Sequence, residues 1–265
     1  RYNPKPDGAK MEAELRGATE FDKRNDYSVA LMYLGRSQEA VTLLEGLEKE
    51  KPGQYTIAAN LGTAYELSGN NAQALHWISE GIRRDATSHE GTEWLHVKIL
   101  EAKIAQEKDA DYFKKHSVLN LSPETIEKQS DMKIGDQSVT LLQLRDALFF
   151  QLKERLQFVK QPDPAVASLF FDFAAVAAAT NTLESATILL EMALKFGYPP
   201  DRVQPLLEVY KQRISAREAK EEAVETEARA AVKANWLKAA ILCIPIVVIV
   251  VILYRQVRRK FSTAA

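Results

Sequence analysis

Over residues 60–86, NLGTAYELSGNNAQALHWISEGIRRDA, apolar positions fall on a helical period twice in succession. Leu61, Gly62 and Tyr65 stand at i, i+1 and i+4. Ala74, Ile78 and Gly81 follow at i, i+4 and i+7, and Gly69 with Asn70 and Asn71 separates the two runs. The pattern predicts two antiparallel helices in close approach, small at Gly62 and Ala74, with Tyr65 filling the space beside them. The arrangement recurs about 34 residues earlier, where Gly35, Ala40, Leu44 and Pro52 correspond to Gly69, Ala74, Ile78 and Ala86. A third first-helix pattern, 94-WLHVKILEAKIA-105, puts His96 where a small residue is usual, and no second helix of standard spacing follows it. A later unit over about 167–200 carries Phe173, Ala174, Ala177, Asn181, Ala186, Leu190 and Ala193 in the equivalent places.

Residues 109–137 interrupt this rhythm. Ser122-Pro123-Glu124 reads as a helix start. In 132-MKIGDQSVTL-141 a Gly-Asp pair between alternating arms predicts a small hairpin. Thr140 and Gln143 have capping-box spacing and open a helix to about Val159, with Leu141, Leu144, Leu148, Leu152 and Leu156 along one stripe. Pro162 and Pro164 stop it, and Pro199-Pro200 ends the unit before a helix from about Asp201. Residues 211–235 are rich in Ala, Glu, Lys and Arg with almost nothing large and apolar to bury, which predicts a solvated helical stalk. The sharper alternative is self-association through a small-residue seam of Ala216, Ala219, Ala223 and Ala230.

The uncharged run 239-AAILCIPIVVIVVILY-254 is about 24 Å long as a helix, and about 28 Å with Trp236 to Lys238 added, close to the ~30 Å hydrocarbon core. It predicts one transmembrane helix over 236–254, kinked at Pro245, with Trp236 and Tyr254 as interfacial aromatics and Lys238 snorkelling outward. Arg255, Arg258, Arg259 and Lys260 crowd the C-terminal flank, whereas Lys233 and Lys238 on the other side are diluted by Glu221, Glu222, Glu225 and Glu227. The excess of basic residues expects a cytoplasmic C-terminus and a periplasmic repeat domain on an inner membrane; a removed secretory signal ahead of Arg1 fits that placement. The alternative is a tail-anchored protein with its repeats in the cytosol.

The paired-helix units resemble the tetratricopeptide repeat family. Residues 55–88 match best, through Leu61, Gly62, Tyr65, Gly69, Ala74, Ile78 and Gly81; residues 21–54 match in the turn and second helix but depart at Tyr27, Ser28 and Leu31. The resemblance covers roughly half the chain. It implies an all-α, TPR-like helical hairpin solenoid whose first helices line a concave groove for a protein partner. In that register the groove takes Asn25, Val29, Met32 and Tyr33 from the first repeat, Ala59, Asn60, Thr63 and Glu66 from the second, and Glu93, Val97 and Leu100 from the third helix. Chaperone-binding members clamp a C-terminal carboxylate with Lys, Arg and Asn. The equivalent positions here include Asp22, Asn25, Asp26, Asn60, Glu90 and Trp94, so that mode is disfavoured, and an apolar or basic helix or strand is the expected partner.

Composition narrows the remaining chemistry. A net charge of −1 leaves no bulk electrostatic footprint for nucleic acid, and the lone Cys243 allows no internal disulfide or multi-cysteine zinc site. No nucleotide loop, nucleophile elbow or HExxH helix occurs. His89, Glu93 and His96 stand at i, i+4 and i+7, but His89 falls in a turn and His96 at a packing position, so surface and core histidines are read there rather than a metal site. Glu107, Asp109 and Asp111 read as a solvated helix end, and 170-FFDF-173 as core. No cofactor and no small-molecule substrate are expected. The organisation read is a leader (1–20), repeats (21–108), an insertion (109–137), further repeats (138–200), a stalk (201–235), the membrane helix (236–254) and a basic tail (255–265). The function is that of a non-enzymatic, membrane-anchored scaffold; the alternative is a permanent accessory subunit of a membrane complex.

Overall fold

The computed structural model describes residues 7–126, 129 and 131–262, with the backbone alone for Glu124 and for 239–262. The chain divides into two units, 1–211 and 212–265.

The first unit begins with α1 (Gly8–Leu15), within the segment read as a leader. Its N-terminus is capped by Asp7, which accepts from the N–H groups of Ala9 and Lys10. Gly8 lies against α2 (Phe21–Tyr33) so closely that a Cβ there would stand 2.7 Å from that of Tyr33. With only Met11 and Leu15 as large apolar residues, α1 offers no stripe that the sequence could reveal.

The repeat period appears as two hairpins, α2 with α3 (Ser37–Glu50) and α4 (Tyr55–Leu67) with α5 (Asn71–Arg84). Their turns share one hydrogen-bond signature. Gly35 N–H donates to Met32 and Arg36 N–H to Leu31; 34 residues on, Gly69 donates to Glu66 and Asn70 to Tyr65. Gly69 has φ +86, a left-handed conformation that ends α4 and that a side chain disfavours. The Asn70 side chain then caps α5 by accepting from Gln73 N–H. Arg84 ties the hairpins together: it pairs with Glu48 of α3 at 2.7 Å, donates to the Gln54 carbonyl at 2.8 Å and lies over the Trp77 ring.

A short 3-10 turn (Ser88–Gly91) leads into α6 (Glu93–Lys108). The four-residue α7 (Tyr112–Lys115) supplies no proper second helix, and a short α8 (Pro123–Ile126) follows. The insertion ends in an antiparallel hairpin of β1 (Asp131–Ile134) and β2 (Gln137–Thr140), with Ile134 opposite Gln137 and Gly135-Asp136 at the tip. Thr140 and Gln143 make both hydrogen bonds of the capping box that opens α9 (Leu141–Arg155). In place of a standard partner, α6 packs with α9 and with α10 (Pro164–Thr180), itself paired with α11 (Leu183–Lys195). These elements and the start of α12 (Pro200–Ser262) enclose the largest apolar cluster, which runs from Leu95 and Ile99 through Leu144 and Leu148 to Leu169, Leu190 and Val203. A second cluster fills the α2–α3–α4 interior, and a third joins Ala74 and Ile78 of α5 to Leu100 of α6.

The second unit is the remainder of α12. Its side chains are exposed from 215 to 238, and an Arg229–Glu225 pair at 2.6 Å lies along its surface. Among the described residues no helix is long and apolar enough to cross a membrane. The apolar run 239–254, and with it the side chains of Tyr254, Arg255, Arg258, Arg259 and Lys260, lies outside the described residues apart from its helical backbone. Trp236 and Lys238 are described, and both are exposed.

The α4–α5 approach gives a direct test. A Cβ at Gly62 would sit 2.4 Å from Cδ1 and 2.6 Å from Cγ1 of Ile78. Gly62→Ala is therefore expected to destabilise the chain by about 1–3 kcal/mol in denaturant unfolding, through overpacking. Adding Ile78→Val, which removes Cδ1, is expected to recover part of that loss.

Candidate functional site

The inner faces of α4, α6 and α9 converge on Glu66, a carboxylate read from the sequence as part of an open groove. Its Oε2 lies 2.7 Å from Nε2 of His96 and 3.2 Å from Nη2 of Arg155, and its Oε1 lies 3.0 Å from Nζ of Lys103. Arg155 also donates to Gln151 Oε1 at 2.8 Å. The His96 ring stands between two carboxylates, with Nδ1 3.3 Å from Glu93 Oε2, and Glu93 Oε1 meets Nδ1 of His89 in the 3-10 turn. The chain of contacts His89–Glu93–His96–Glu66–Arg155 thus links the turn before α6 to the C-terminal end of α9.

Burial governs its electrostatics. Burial alone would raise the Glu66 pKa, but the charges of Arg155 and Lys103 and the bond from His96 hold it well below the usual carboxylate range. Burial likewise opposes ionisation of Glu93, and contacts with His89 and His96 outweigh it, bringing the group to about 2. The bond to Glu93 raises His89 above its ordinary value despite partial burial. These imidazoles and carboxylates are engaged with one another. Among the described residues no set of His, Cys, Asp and Glu stands open for a metal ion.

Around this network lies a cleft. Ala59, Asn60 and Thr63 of α4 form one wall, His89 and Glu93 the floor, and Phe150, Glu154 and Phe158 the opposite wall. Five of the predicted groove residues (Ala59, Asn60, Thr63, Glu66 and Glu93) are therefore brought together. Asn25 accepts from the Asn60 amide at 2.9 Å, extending this face onto α2. Tyr33 stacks on Phe158 with centroids 4.6 Å apart, and its hydroxyl donates to Gln157 at 2.8 Å, so the chain after α9 covers that part of the groove. Met32 and Leu100 are buried in the second and third apolar clusters and present nothing to a partner; Val29 and Val97 are half-buried at the edges of the same clusters. The correction for Glu66 and Glu93 is electrostatic: both charges are already met from within the chain, so neither is free to select a basic partner.

Arg155 and Gln151 escaped the sequence reading. The available signal was their position at i+11 and i+7 from Leu144, polar residues on the inward face of an otherwise apolar stripe. Asp172 escaped as well, although it is the lone charge in α10. Fully buried, it accepts from Ser117 Oγ at 2.6 Å and Leu119 N–H at 2.9 Å, while Ser168 accepts from Val118 N–H at 2.8 Å. Burial pushes the Asp172 pKa up to about 6 against these bonds. Its role is to fasten the 117–121 segment of the insertion onto α10.

These observations define a fold of consecutive helical hairpins, with one face partly covered by α9 and the segment after it. No family model matches the chain, and no curated protein matches it. A solved tetratricopeptide repeat protein from Parabacteroides merdae is similar over 77% of this chain and 89% of that one, at 12% identity and a TM-score of 0.29.

Removing the Glu66 carboxylate strands Arg155, so Glu66→Ala is expected to cost about 3–5 kcal/mol in denaturant unfolding. The pH dependence has a definite sign. Glu93, lowered from 4.5 to about 2, stabilises the fold fully above about 4.5 and loses that contribution as pH falls toward 2. His89, raised above 6.5, contributes fully below 6.5 and loses its contribution as pH rises through the folded value. Replacing Glu93 with Gln is expected to flatten both limbs of a stability-against-pH curve.

Proposed function

We propose that the chain is a non-enzymatic scaffold that docks a protein partner on the concave side of its helical hairpins and is fixed to a membrane by its C-terminal helix. The observation that supports the docking role is the cleft between Thr63 on α4 and Phe158 beyond α9, lined by both apolar and polar side chains. Because Glu66 and Glu93 are neutralised internally, the contacts the cleft leaves for a partner are with Asn60, Thr63, Phe150, Phe158 and the half-buried Glu154. An apolar helix or strand with a few hydrogen-bonding groups suits them better than a strongly basic one. The catalytic alternative lacks a paired nucleophile and base: Glu66, Glu93, His89, His96 and Arg155 are engaged with one another, and Glu154 accepts from the Gln157 amide.

The anchor is supported by the uncharged run 239–254, set in the continuous helix α12 and flanked by Trp236 and by Arg255, Arg258, Arg259 and Lys260. The basic flank supports a cytoplasmic side after the helix and a periplasmic side for the repeats. Anchoring raises the local concentration of the cleft near membrane partners, so a modest affinity suffices.

Three measurements test this reading. The full chain is expected to float with phospholipid vesicles and to resist alkaline carbonate extraction, and a chain ending at Asn235 is expected to stay in the soluble fraction; carbonate release of the full chain would overturn the anchor. In spheroplasts, cleavage at the exposed Gly135 turn without lysis is expected, whereas cleavage only after lysis contradicts the placement. In a pull-down from solubilised membranes, Thr63→Trp is expected to lose the captured partner while retaining wild-type circular dichroism. Unaltered capture removes the cleft from the account.

A further inference from the structure

The outward face of α9 carries an apolar stripe that the fold leaves uncovered: Leu142 is 53% exposed, Phe149 60% and Leu156 39%. The three residues are spaced by seven, so on a helix they form one nearly straight line. Asp146 and Lys153 occupy one flank of that line, both exposed. Arg145, which pairs with Asp146 at 2.7 Å, leaves the helix on the other flank.

The stripe is self-complementary. In an antiparallel pair of α9 helices related by a twofold axis near Phe149, Leu142 meets Leu156 of the other copy and Phe149 meets its own counterpart. The same operation keeps like flanks together and brings Asp146 opposite Lys153 of the other copy, twice, by symmetry. A parallel pairing would instead put unlike flanks together, with Asp146 facing the flank of the other copy that carries Arg145 and away from Lys153. We propose that this face of α9 is the contact between two copies of the chain, joined antiparallel through Leu142, Phe149 and Leu156 and set in register by the Asp146–Lys153 pairs. An aromatic at the centre of an apolar line with charges at its rim is the usual anatomy of such a contact.

Three side chains per copy bury much less than the ~800 Å² per partner of a stable free complex. The pairing therefore needs the raised effective concentration of a shared bilayer, and to that extent it rests on the membrane reading above. The face is separate from the cleft, whose wall on α9 is formed by Phe150, Gln151, Glu154 and Arg155, so a dimer leaves the cleft open.

Site-directed cross-linking of the full chain in phospholipid vesicles tests the register. In a Cys243→Ser background, Phe149→Cys is expected to form disulfide-linked dimers on mild oxidation. Copies carrying Asp146→Cys are expected to link to copies carrying Lys153→Cys, and neither is expected to link to itself. Dimer formation by native electrophoresis in vesicle-matched detergent is expected to fall several-fold for Asp146→Lys and to return when Lys153→Asp is added. Absence of the 149–149 link in vesicles shown by flotation to hold the chain overturns the proposal. Self-linking at 146 and 153 equal to that of the mixed pair overturns it too. Failure of the chain to float at all counts against the anchor and, with it, against a pairing that depends on it; a chain that floats without the 149–149 link counts against the pairing alone.

Discussion

The repeat unit works because two helices can approach at Gly62, but the arrangement of the whole first unit depends on a buried carboxylate. Glu66 sits on the first helix of the best-formed hairpin and is held at once from α6 by His96 and Lys103 and from α9 by Arg155. An unpaired charge at that depth would be strongly unfavourable, and three cationic or hydrogen-bonding partners make it tolerable. Leu144, Leu148 and Leu152 seat α9 in the largest apolar cluster against α10 and α6, and the Arg155 contact fixes its C-terminal end to Glu66 on α4. His96 departs from the small residue usual at its position for the same reason, since its ring is needed as the bridge between Glu66 and Glu93.

That constraint reshapes the concave face. A groove that the repeat geometry alone would leave long and open becomes a bounded cleft, with Phe158 stacked on Tyr33 at one end and the His89–Glu93 pair at its floor. The Glu66 and Glu93 charges are met within the chain, and Glu154 on the same cleft accepts from the Gln157 amide. Asp172 plays a comparable part for the insertion, with Ser117 and Leu119 as its donors in an otherwise apolar helix. In both places one acidic residue on a repeat-like helix fastens a segment that does not follow the repeat.

What the sequence reveals follows from how local each feature is. The hairpins over 21–84 are legible because small and large residues recur at fixed offsets and Gly35 and Gly69 mark equivalent turns. The β-hairpin and the capping box are legible because the Gly-Asp tip and the Thr140–Gln143 pair each act within a few residues. The Leu141 to Leu156 stripe was only partly legible. Steps of four residues advance about 40° past a full turn, so the line rotates off the core, and Leu156 ends exposed just after the helix stops at Arg155. The Glu66–Arg155 contact spans 89 residues and leaves no local trace. The groove register taken from the repeat resemblance therefore includes residues of α4 that line the cleft, but not the chain after α9 that lines its other side. Helix α1, short and with little to bury, lacks any periodic signal.

The central claim is that Glu66 holds α9 and the following segment onto the repeats. Amide hydrogen exchange on the full chain, resolved by peptide, tests it most directly by comparing the native protein with Glu66→Gln. The account predicts that exchange rises selectively over residues 145–159 and at the start of α6 in the variant, while α2, α3 and α5 keep their native protection. Exchange over 145–159 that is unchanged by the substitution, or that rises equally throughout residues 21–84, would contradict it.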